Sequence, residues 1–267
     1  MYDEGVSLNE IGKQLKICSN KFSKWLKSQG VNVRYKSTGL STAKKRVTFF
    51  ENIDTEEKAY WLGFLYADGC VRETKRNDKL KAMILEVGLS SIDREHLEKF
   101  LFQIKYDGEV KYKDVKLGNK SFESCRVNVC DTEMCRDLVK LGCTPRKSLT
   151  LTFPTEEQVP KHLQIHFIRG YVDGDGSIGL RNVNYKGREC KRGLITILGT
   201  KDFLEKVVEV TGWKRNTIQK PSGTYQIEWN NKSTIEEYLD LIYKGANIYL
   251  ERKYDKYLEI KQNCRLS

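Results

Sequence analysis

Two stretches of the chain, Trp61–Gly69 and Ile168–Gly176, share one pattern of apolar, small and acidic positions. Each has an early glycine followed four positions later by a second small residue: Gly63 and Ala67 in the first stretch, Gly170 and Gly174 in the second. Residues four apart lie on one face of an α-helix, and small residues at that spacing allow two helix backbones to approach closely. The pattern therefore predicts two helices that pack against each other.

Both predicted helices end in an Asp-Gly pair, Asp68-Gly69 and Asp175-Gly176. The glycine suits a left-handed residue that ends a helix. The aspartate is unfavourable there, because a carboxylate facing the negative end of the helix dipole costs roughly 0.3–1 kcal/mol. Solvated helix-end acids are the alternative interpretation, but an unfavourable residue repeated at the same place indicates function. A divalent cation between or beside Asp68 and Asp175 would relieve the repulsion.

Residues 1–34 have the pattern of a helix, a turn and a second helix. Ser7 and Glu10 form a predicted capping box for the first helix. The second, at 20–29, is predicted to bury Phe22, Trp25 and Leu26. This is typical of a helix-turn-helix in which residues 20–29 read DNA, and its candidate contacts are Asn20, Lys21 and Lys24. A plain helical hairpin is the alternative.

Residues 35–50 form a predicted basic linker. The first 50 residues carry ten Lys/Arg against three Asp/Glu, which is +7 of the total net charge of +11. The candidate phosphate contacts at and beside the linker are Arg34, Lys36, Lys44, Lys45 and Arg46. The segment is interpreted either as an arm along a phosphate backbone or as a solvated flexible connection.

The rest of the chain divides into two similar halves, 51–150 and 151–267, each predicted as helix, two strands, helix, two strands, helix. In the first half the predicted strands are 70–74, 80–89, 109–117 and 122–130, with helices at 91–104 and 132–141. In the second half a strand pair lies around 184–192, 193–198 leads into a helix at 201–210, and strands at 217–220 and 225–229 precede a helix opened by a capping box at Ser233 and Glu236. The fold class is α+β.

Alternation along these strands predicts which side chains share a face. Lys111 and Lys113 lie on one face of their strand, with Tyr112 and Asp114 on the other. In the second half, the hairpin carries a basic set of candidate contacts: Arg181, Lys186, Arg188 and Arg192. A two-stranded ribbon fits the major groove of DNA, where such side chains read base edges. A plain surface charge is the alternative for any single one of them.

The two stretches resemble the LAGLIDADG motif of homing endonucleases. Matching residues are Gly63, Ala67, Asp68 and Gly69 in the first copy, and Gly170, Asp173, Gly174, Asp175 and Gly176 in the second. Tyr66 departs from the motif's earlier aspartate, which the second copy keeps as Asp173. The resemblance implies tandem pseudo-two-fold repeats, with the motif helices at the interface above the minor groove and saddle-shaped antiparallel sheets over the major groove.

The resemblance also implies the roles of the site residues. The final aspartates, Asp68 and Asp175, would bind Mg²⁺ or Mn²⁺, and the backbone carbonyls of Gly69 and Gly176 would add ligands. Lys147 and Lys253, which fall at matching places in the two halves, would supply a cation near the phosphate or the attacking water. Metal ions can activate water, act as Lewis acids and stabilise the leaving oxygen.

Composition narrows the class of protein further. The chain has 267 residues, 39% of them apolar, and its pI of about 9.1 suits a polyanionic partner. A mean hydropathy of −0.58 and the absence of a long apolar run argue against a membrane span, and no secretory leader is expected. The eight cysteines form no CxxC pair, so we expect reduced thiols in an intracellular protein, in the cytoplasm or nucleoid of a bacterial or phage-infected host.

These observations favour a monomeric, metal-dependent endonuclease that cuts both strands of a long, non-palindromic double-stranded DNA site. Two alternatives stay open: a non-catalytic DNA-binding transcription regulator with the same fold, and an RNA-splicing maturase. An intein is not expected, since the chain starts with Met and ends in Arg-Leu-Ser.

Overall fold

A computed structural model describes most of the chain. It covers Trp25, Leu26, Ser28 and Gln29, and residues 47–76, 79–117, 120–145, 147, 150–185 and 187–265. The chain divides into two compact units, residues 1–45 and residues 46–267. No helix in the described part is long and apolar enough to cross a membrane.

In the unit of residues 1–45, the structure describes four residues, of which Trp25, Leu26 and Ser28 are helical. Leu26 is buried, as predicted. Trp25 is 56% exposed, so its predicted burial is wrong. Adjacent helical residues differ in direction by about 100°, so Leu26 can face inward while Trp25 does not. The rest of the predicted helix-turn-helix lies outside the described residues.

In its described residues, the first half of the larger unit contains three α-helices and a four-stranded antiparallel sheet. Its elements are α1 (Glu56–Asp68), β1 (Gly69–Arg76), β2 (Lys79–Ser90), α2 (Arg94–Gln103), β3 (Lys111–Leu117), β4 (Lys120–Val129) and α3 (Thr132–Lys140). The strand order is β1-β2-β4-β3, and each neighbouring pair is antiparallel.

The second half repeats this order of elements and adds a helix. It comprises α4 (Gln164–Asp175), β5 (Ser177–Tyr185), β6 (Arg188–Gly199), α5 (Lys201–Thr211), β7 (Gln219–Ser222), β8 (Thr224–Trp229), α6 (Lys232–Tyr243) and α7 (Glu251–Arg265). The strand order β5-β6-β8-β7 matches that of the first sheet.

Several local features of the helices and strands differ from the sequence predictions. Helix α7 was not predicted, and β6 is one continuous strand of 12 residues rather than a strand with an extension. The predicted cap at Ser233 is wrong, because the amide of Ile235 already donates to the carbonyl of Asn231 and the helix begins before Ser233. At α1 the capping side chain is Thr55, whose hydroxyl accepts from the amide of Lys58.

Helices α1 and α4 pack against each other through their small residues. A Cβ atom added to Gly63 would lie 1.9 Å from the carbonyl oxygen of Phe167, and one added to Gly170 would lie 1.9 Å from that of Tyr60. One turn further on, a Cβ at Gly174 would lie 2.2 Å from the Cβ of Ala67. The close helix contact predicted from the repeated spacing is therefore confirmed.

Each sheet has one covered face and one open face, which we define by the alternation of its side chains. In the first sheet Val71, Leu85, Val127 and Val129 are buried and face the core, as Ile195, Ile197, Ile227 and Trp229 do in the second. The residues between them form the open face. Two open faces therefore remain that the helices on the opposite sides of the sheets do not cover.

We predict that Gly63→Ala destabilises the fold, because the added methyl group would clash with a backbone carbonyl that side-chain rotation cannot move. The free energy of unfolding should fall by about 3 kcal/mol or more, measured by urea denaturation. Gly179→Ala is the matched control, since a Cβ there meets nothing within 4 Å. Equal stability of the two variants would contradict the close helix contact.

Candidate active site at the ends of the paired helices

Asp68 and Asp175 are the last residues of α1 and α4, as the sequence predicted. A Cβ added to Gly174 would lie 3.2 Å from Oδ2 of Asp68, so the first carboxylate sits against the helix that carries the second. Asp68 is half-buried, whereas Asp175 is exposed. The paired helices thus bring the two carboxylates to the same end of their contact.

The two glycines that follow do not adopt the predicted left-handed conformation. Gly69 has φ −77° and ψ 139°, and Gly176 has φ −78° and ψ 157°, so both are extended. Each helix runs directly into a strand instead of closing with a left-handed turn. Glycine is still needed, because a Cβ at Gly69 would lie 2.6 Å from the carbonyl oxygen of Leu65, and one at Gly176 would lie 2.5 Å from that of Val172.

The carboxylates lie in an environment that disfavours negative charge. Burial first, and then the nearby charge of Asp175, raise the pKa of Asp68 to about 6, even though Lys253, Lys147 and Arg252 act in the opposite direction. Desolvation also raises the pKa of Asp175, again against the two lysines. Such a site gains from any additional positive charge placed beside it.

Lys147 and Lys253 are buried, and their ammonium groups contact the chain just after each aspartate. Nζ of Lys147 donates to the carbonyl oxygen of Gly69. Nζ of Lys253 donates to the carbonyls of Asp173 and Gly176, both at 2.6 Å, and to those of Val172 and Gly174. Burial lowers the pKa of Lys253 to about 8. Both lysines therefore bind the negative ends of the motif helices.

The residues present fit a hydrated divalent ion rather than an all-protein metal site. Within the described residues, no group of three or more His, Cys, Asp or Glu side chains could hold a metal. The available oxygen donors are the two carboxylates and the Gly69 and Gly176 carbonyls, each of which keeps a second lone pair beside its lysine contact. Mg²⁺ is commonly held by one or two carboxylates, with water and phosphate oxygens completing its octahedron.

The buried carboxylate of Asp173 forms a network that the sequence did not reveal. It accepts hydrogen bonds from the Tyr60 hydroxyl at 2.8 Å, the Tyr243 hydroxyl at 2.5 Å and the amide of Leu250 at 2.7 Å. Burial raises its pKa despite these donors. Tyr60 belongs to α1, so the network joins both motif helices to the segment that leads to Lys253.

Tyr66, which replaces this aspartate in the first half, makes a simpler contact. Its hydroxyl donates to the carbonyl of Leu141, just after α3. The two positions thus anchor their motif helices to equivalent segments with different chemistry. The repeat indicated the position but not the partners, which lie 70 or more residues away in the chain.

A second buried group ties the two halves together at the other end of the helices. The guanidinium of Arg169 donates to Glu56 at 2.6 Å and to the carbonyls of Ile248 and Ile242. Glu56 also accepts from the backbone amide of Asn247 at 2.9 Å. An isolated buried arginine would be costly, but here its charge is paired and its donors are satisfied.

The candidate DNA contacts that the structure describes lie on the open faces. Lys111 and Lys113 face away from the core, opposite Arg126 and Ser124 of β4, as their alternation predicted. Arg181 lies directly opposite Arg192 on the second sheet. The backbone of Arg188 pairs with Tyr185. The candidates that lie outside the described residues are Asn20, Lys21, Lys24, Arg34, Lys36, Lys44, Lys45, Arg46 and Lys186.

Each open face also carries a glutamate held by arginine, which the sequence analysis missed. Glu86 accepts from Arg72 at 2.8 Å and lies 3.7 Å from Arg126. Glu228 accepts from both terminal nitrogens of Arg181, at 3.2 and 3.3 Å. These pairs join different strands and point the arginines along the sheet. Only strand register, which the sequence did not fix, could have revealed them.

The fold is that of solved LAGLIDADG meganucleases. The structure is similar to that of I-AabMI bound to uncleaved DNA, with a TM-score of 0.54 and 13% identity over 78% of this chain and 90% of that one. For I-SmaMI bound to uncleaved DNA in the presence of calcium ions, the TM-score is 0.55 and the identity is 14%, over 78% of this chain and 90% of that one. For I-LtrWI bound to target DNA, the TM-score is 0.55 and the identity is 12%, over 81% of this chain and 91% of that one. At these identities the likeness concerns the fold.

Sequence comparison adds one curated relative and no family. The chain is 25% identical over 265 residues to the replication factor C small subunit of Methanocaldococcus jannaschii. The match covers 94% of this chain but 13% of that protein. No family model matches the sequence.

We predict that His96 makes stability depend on pH. Its Nε2 lies 3.0 Å from the Tyr60 hydroxyl, and burial lowers its pKa to about 3. The unfolded chain, with a histidine pKa of about 6.5, therefore binds a proton that the folded protein does not, so stability falls as pH drops below that value. From pH 7 to pH 5 the loss from this group should be about 2 kcal/mol.

The matched variant is His96→Gln, which keeps a polar partner for Tyr60 but does not titrate. Urea unfolding at pH 7 and pH 5 should show that the native chain loses more stability than the variant does. An equal loss in both proteins would show that His96 is not held neutral in the fold.

Proposed function

We propose that the protein is a site-specific endonuclease that cuts both strands of a long, non-palindromic DNA duplex with the help of a divalent metal ion. The observation that carries the proposal is the placement of Asp68 and Asp175 at the adjoining ends of two closely packed helices. Each helix runs directly into a sheet whose open face is rich in basic residues. DNA-bound meganucleases with the same fold support this assignment.

The proposed DNA-binding surface consists of the two open faces. Lys111, Lys113 and Arg126 on the first sheet, and Arg181 and Arg192 on the second, present cations and hydrogen-bond donors of the kind that read guanine and phosphate in the major groove. Because the strand order is the same in both halves, we propose pseudo-two-fold repeats at 51–150 and 151–267. Their open faces carry different residues, so each half would read a different half-site.

In the proposed reaction the chain positions charge around the scissile phosphates. Asp68 and Asp175, assisted by the carbonyls of Gly69 and Gly176, would hold Mg²⁺ or Mn²⁺. When bound, the metal would supply Lewis acidity and an activated water. The buried ammonium groups of Lys147 and Lys253 stabilise the carboxylate form of the two aspartates and keep the helix ends in place. Asp173 and Tyr243 orient the segment that carries Lys253.

The remaining parts of the proposal concern organisation. Residues 1–34 would form a helix-turn-helix that adds DNA contacts, and residues 35–50 a basic linker along the phosphate backbone. The single chain contains both motif helices, so a monomer would complete both catalytic sites.

The first experiment is a cleavage assay on a randomised double-stranded DNA library in Mg²⁺, with parallel reactions in Ca²⁺ and in EDTA. Double-strand cuts at one long sequence in Mg²⁺, absent in EDTA, are the expected result. Sequence-specific retention without cutting in Mg²⁺ would indicate a regulator. If the protein neither cuts nor retains any DNA in this assay, structured RNA becomes the substrate to test.

We predict that Asp68→Asn and Asp175→Asn each retain affinity for the selected DNA and lose double-strand cutting, because each removes one carboxylate from the metal site but leaves the open faces unchanged. Gel-shift and cleavage assays on the same target measure the two properties. Asp54→Asn is the matched control, since Asp54 precedes α1 at its opposite end and pairs with Lys58 at 2.7 Å. Full cutting of both strands by either motif variant would contradict the assignment.

A further inference from the structure

An exposed apolar pair lies on the open face of the first sheet. Val115 of β3 and Phe122 of β4 are directly opposite each other in the antiparallel register. They are 41% and 51% exposed. Opposite residues project from the same face, and alternation along β3 places Lys111 and Lys113 there too. The pair is therefore an apolar patch on a basic surface.

The patch does not belong to the core of the protein. On the covered side of β4, Cys125 and Val127 are buried. Tyr112, which is also exposed, projects from that covered side, where its hydroxyl accepts from Arg94 at 3.0 Å and its ring lies 5.2 Å from the guanidinium. Phe122 and Val115 project from the opposite side of the sheet, where both side chains are exposed.

Charge complementarity selects the partner. Lys111, Lys113 and Arg126 lie on the same face, one and two rows along the strands from the patch, so a polyanion that also offers apolar surface suits it as a partner. Duplex DNA offers such surface in the major groove at the C5 methyl group of thymine. We propose that Val115 and Phe122 contact a thymine methyl group in the half-site bound by the first sheet, an inference that rests on the proposed DNA-binding function.

Register along β4 indicates where this thymine lies. Asn128 of β4 lies opposite Glu86 of β2, which in turn lies opposite Cys70 of β1. Cys70 directly follows Gly69, so this row of the sheet lies beside the candidate active site. Phe122 lies six residues further along the strand, a distance of about 20 Å. With β4 placed along the DNA axis and about 3.4 Å per base step, the contacted thymine would lie up to about six base pairs outward from the row beside the active site.

The second sheet has no equivalent patch in its described hairpin. At the end of β7 and β8, Ser222 pairs with Thr224, and both are small and polar. The paired apolar patch therefore belongs to the first sheet, whereas on the open face of the second sheet Leu198, which is 38% exposed, lies opposite the polar Gln226.

The test is a uracil scan of the DNA selected by the full-length protein. Each thymine of the target is replaced singly by deoxyuridine, which removes the methyl group and keeps base pairing, and Kd is measured in Ca²⁺. We expect a loss of about fourfold at one or two outer positions of one half-site, the size of one buried methyl group. Phe122→Ser should weaken binding to the thymine target and abolish the difference between thymine and uracil at those positions.

Phe102→Ser is the matched control, because Phe102 is 83% exposed on α2 and away from the open face. It should bind as the native chain does and keep the uracil effect. A selected half-site without an outer thymine, or a uracil effect that persists in Phe122→Ser, would overturn the inference while leaving DNA binding intact. If the native protein self-associates and Phe122→Ser is a monomer, the patch serves self-association instead, and the inference is wrong. Failure to bind any DNA would refute the proposed function itself.

Discussion

The close approach of α1 and α4 is the constraint on which the candidate site depends. Gly63 faces the carbonyl of Phe167, and Gly170 faces that of Tyr60, each so closely that no side chain fits between the backbones. This contact sets the separation of the helices and therefore of the carboxylates at their ends. Because Gly69 and Gly176 lead straight into β1 and β5, the same contact also fixes where the two sheets begin.

Bringing two carboxylates to the ends of packed helices creates an electrostatic problem that the surrounding chain only partly solves. The Lys147 and Lys253 ammonium groups lie at the helix ends, yet the pKa of Asp68 is still raised to about 6. Lys253 donates to four backbone carbonyls, whereas Lys147 donates to that of Gly69. The first half also has Tyr66 at the position where the second half has the buried Asp173. The two halves therefore share geometry but not electrostatics, which suits the proposed binding of a different DNA half-site by each half.

The sequence predicted much of this structure, because the strongest signals were local and repeated. The spacing of small residues predicted the helix contact, and the Asp-Gly pairs at Asp68 and Asp175 predicted where the two helices end. Alternation along the strand predicted that Lys111 and Lys113 share one face of the sheet. The conformation of Gly69 was predicted wrongly. A glycine that ends a helix in the left-handed conformation looks the same in sequence as an extended glycine that is needed because a side chain would clash with the preceding helical turn. The partners of Asp173 could not be predicted, since they depend on register and packing between distant segments.

The open faces show how the fold separates stability from recognition. Alternate residues of each strand hold the core, so those between them can change without opening a cavity. The arginine pairs with Glu86 and Glu228 are exposed, and such pairs contribute no more than about 1 kcal/mol. An arginine held this weakly is oriented in the free protein, and in the proposed DNA complex it could exchange the glutamate for a guanine edge or a phosphate at little cost. On the proposed function the glutamates would pre-organise a basic surface without blocking it, and each, once released, could accept from cytosine.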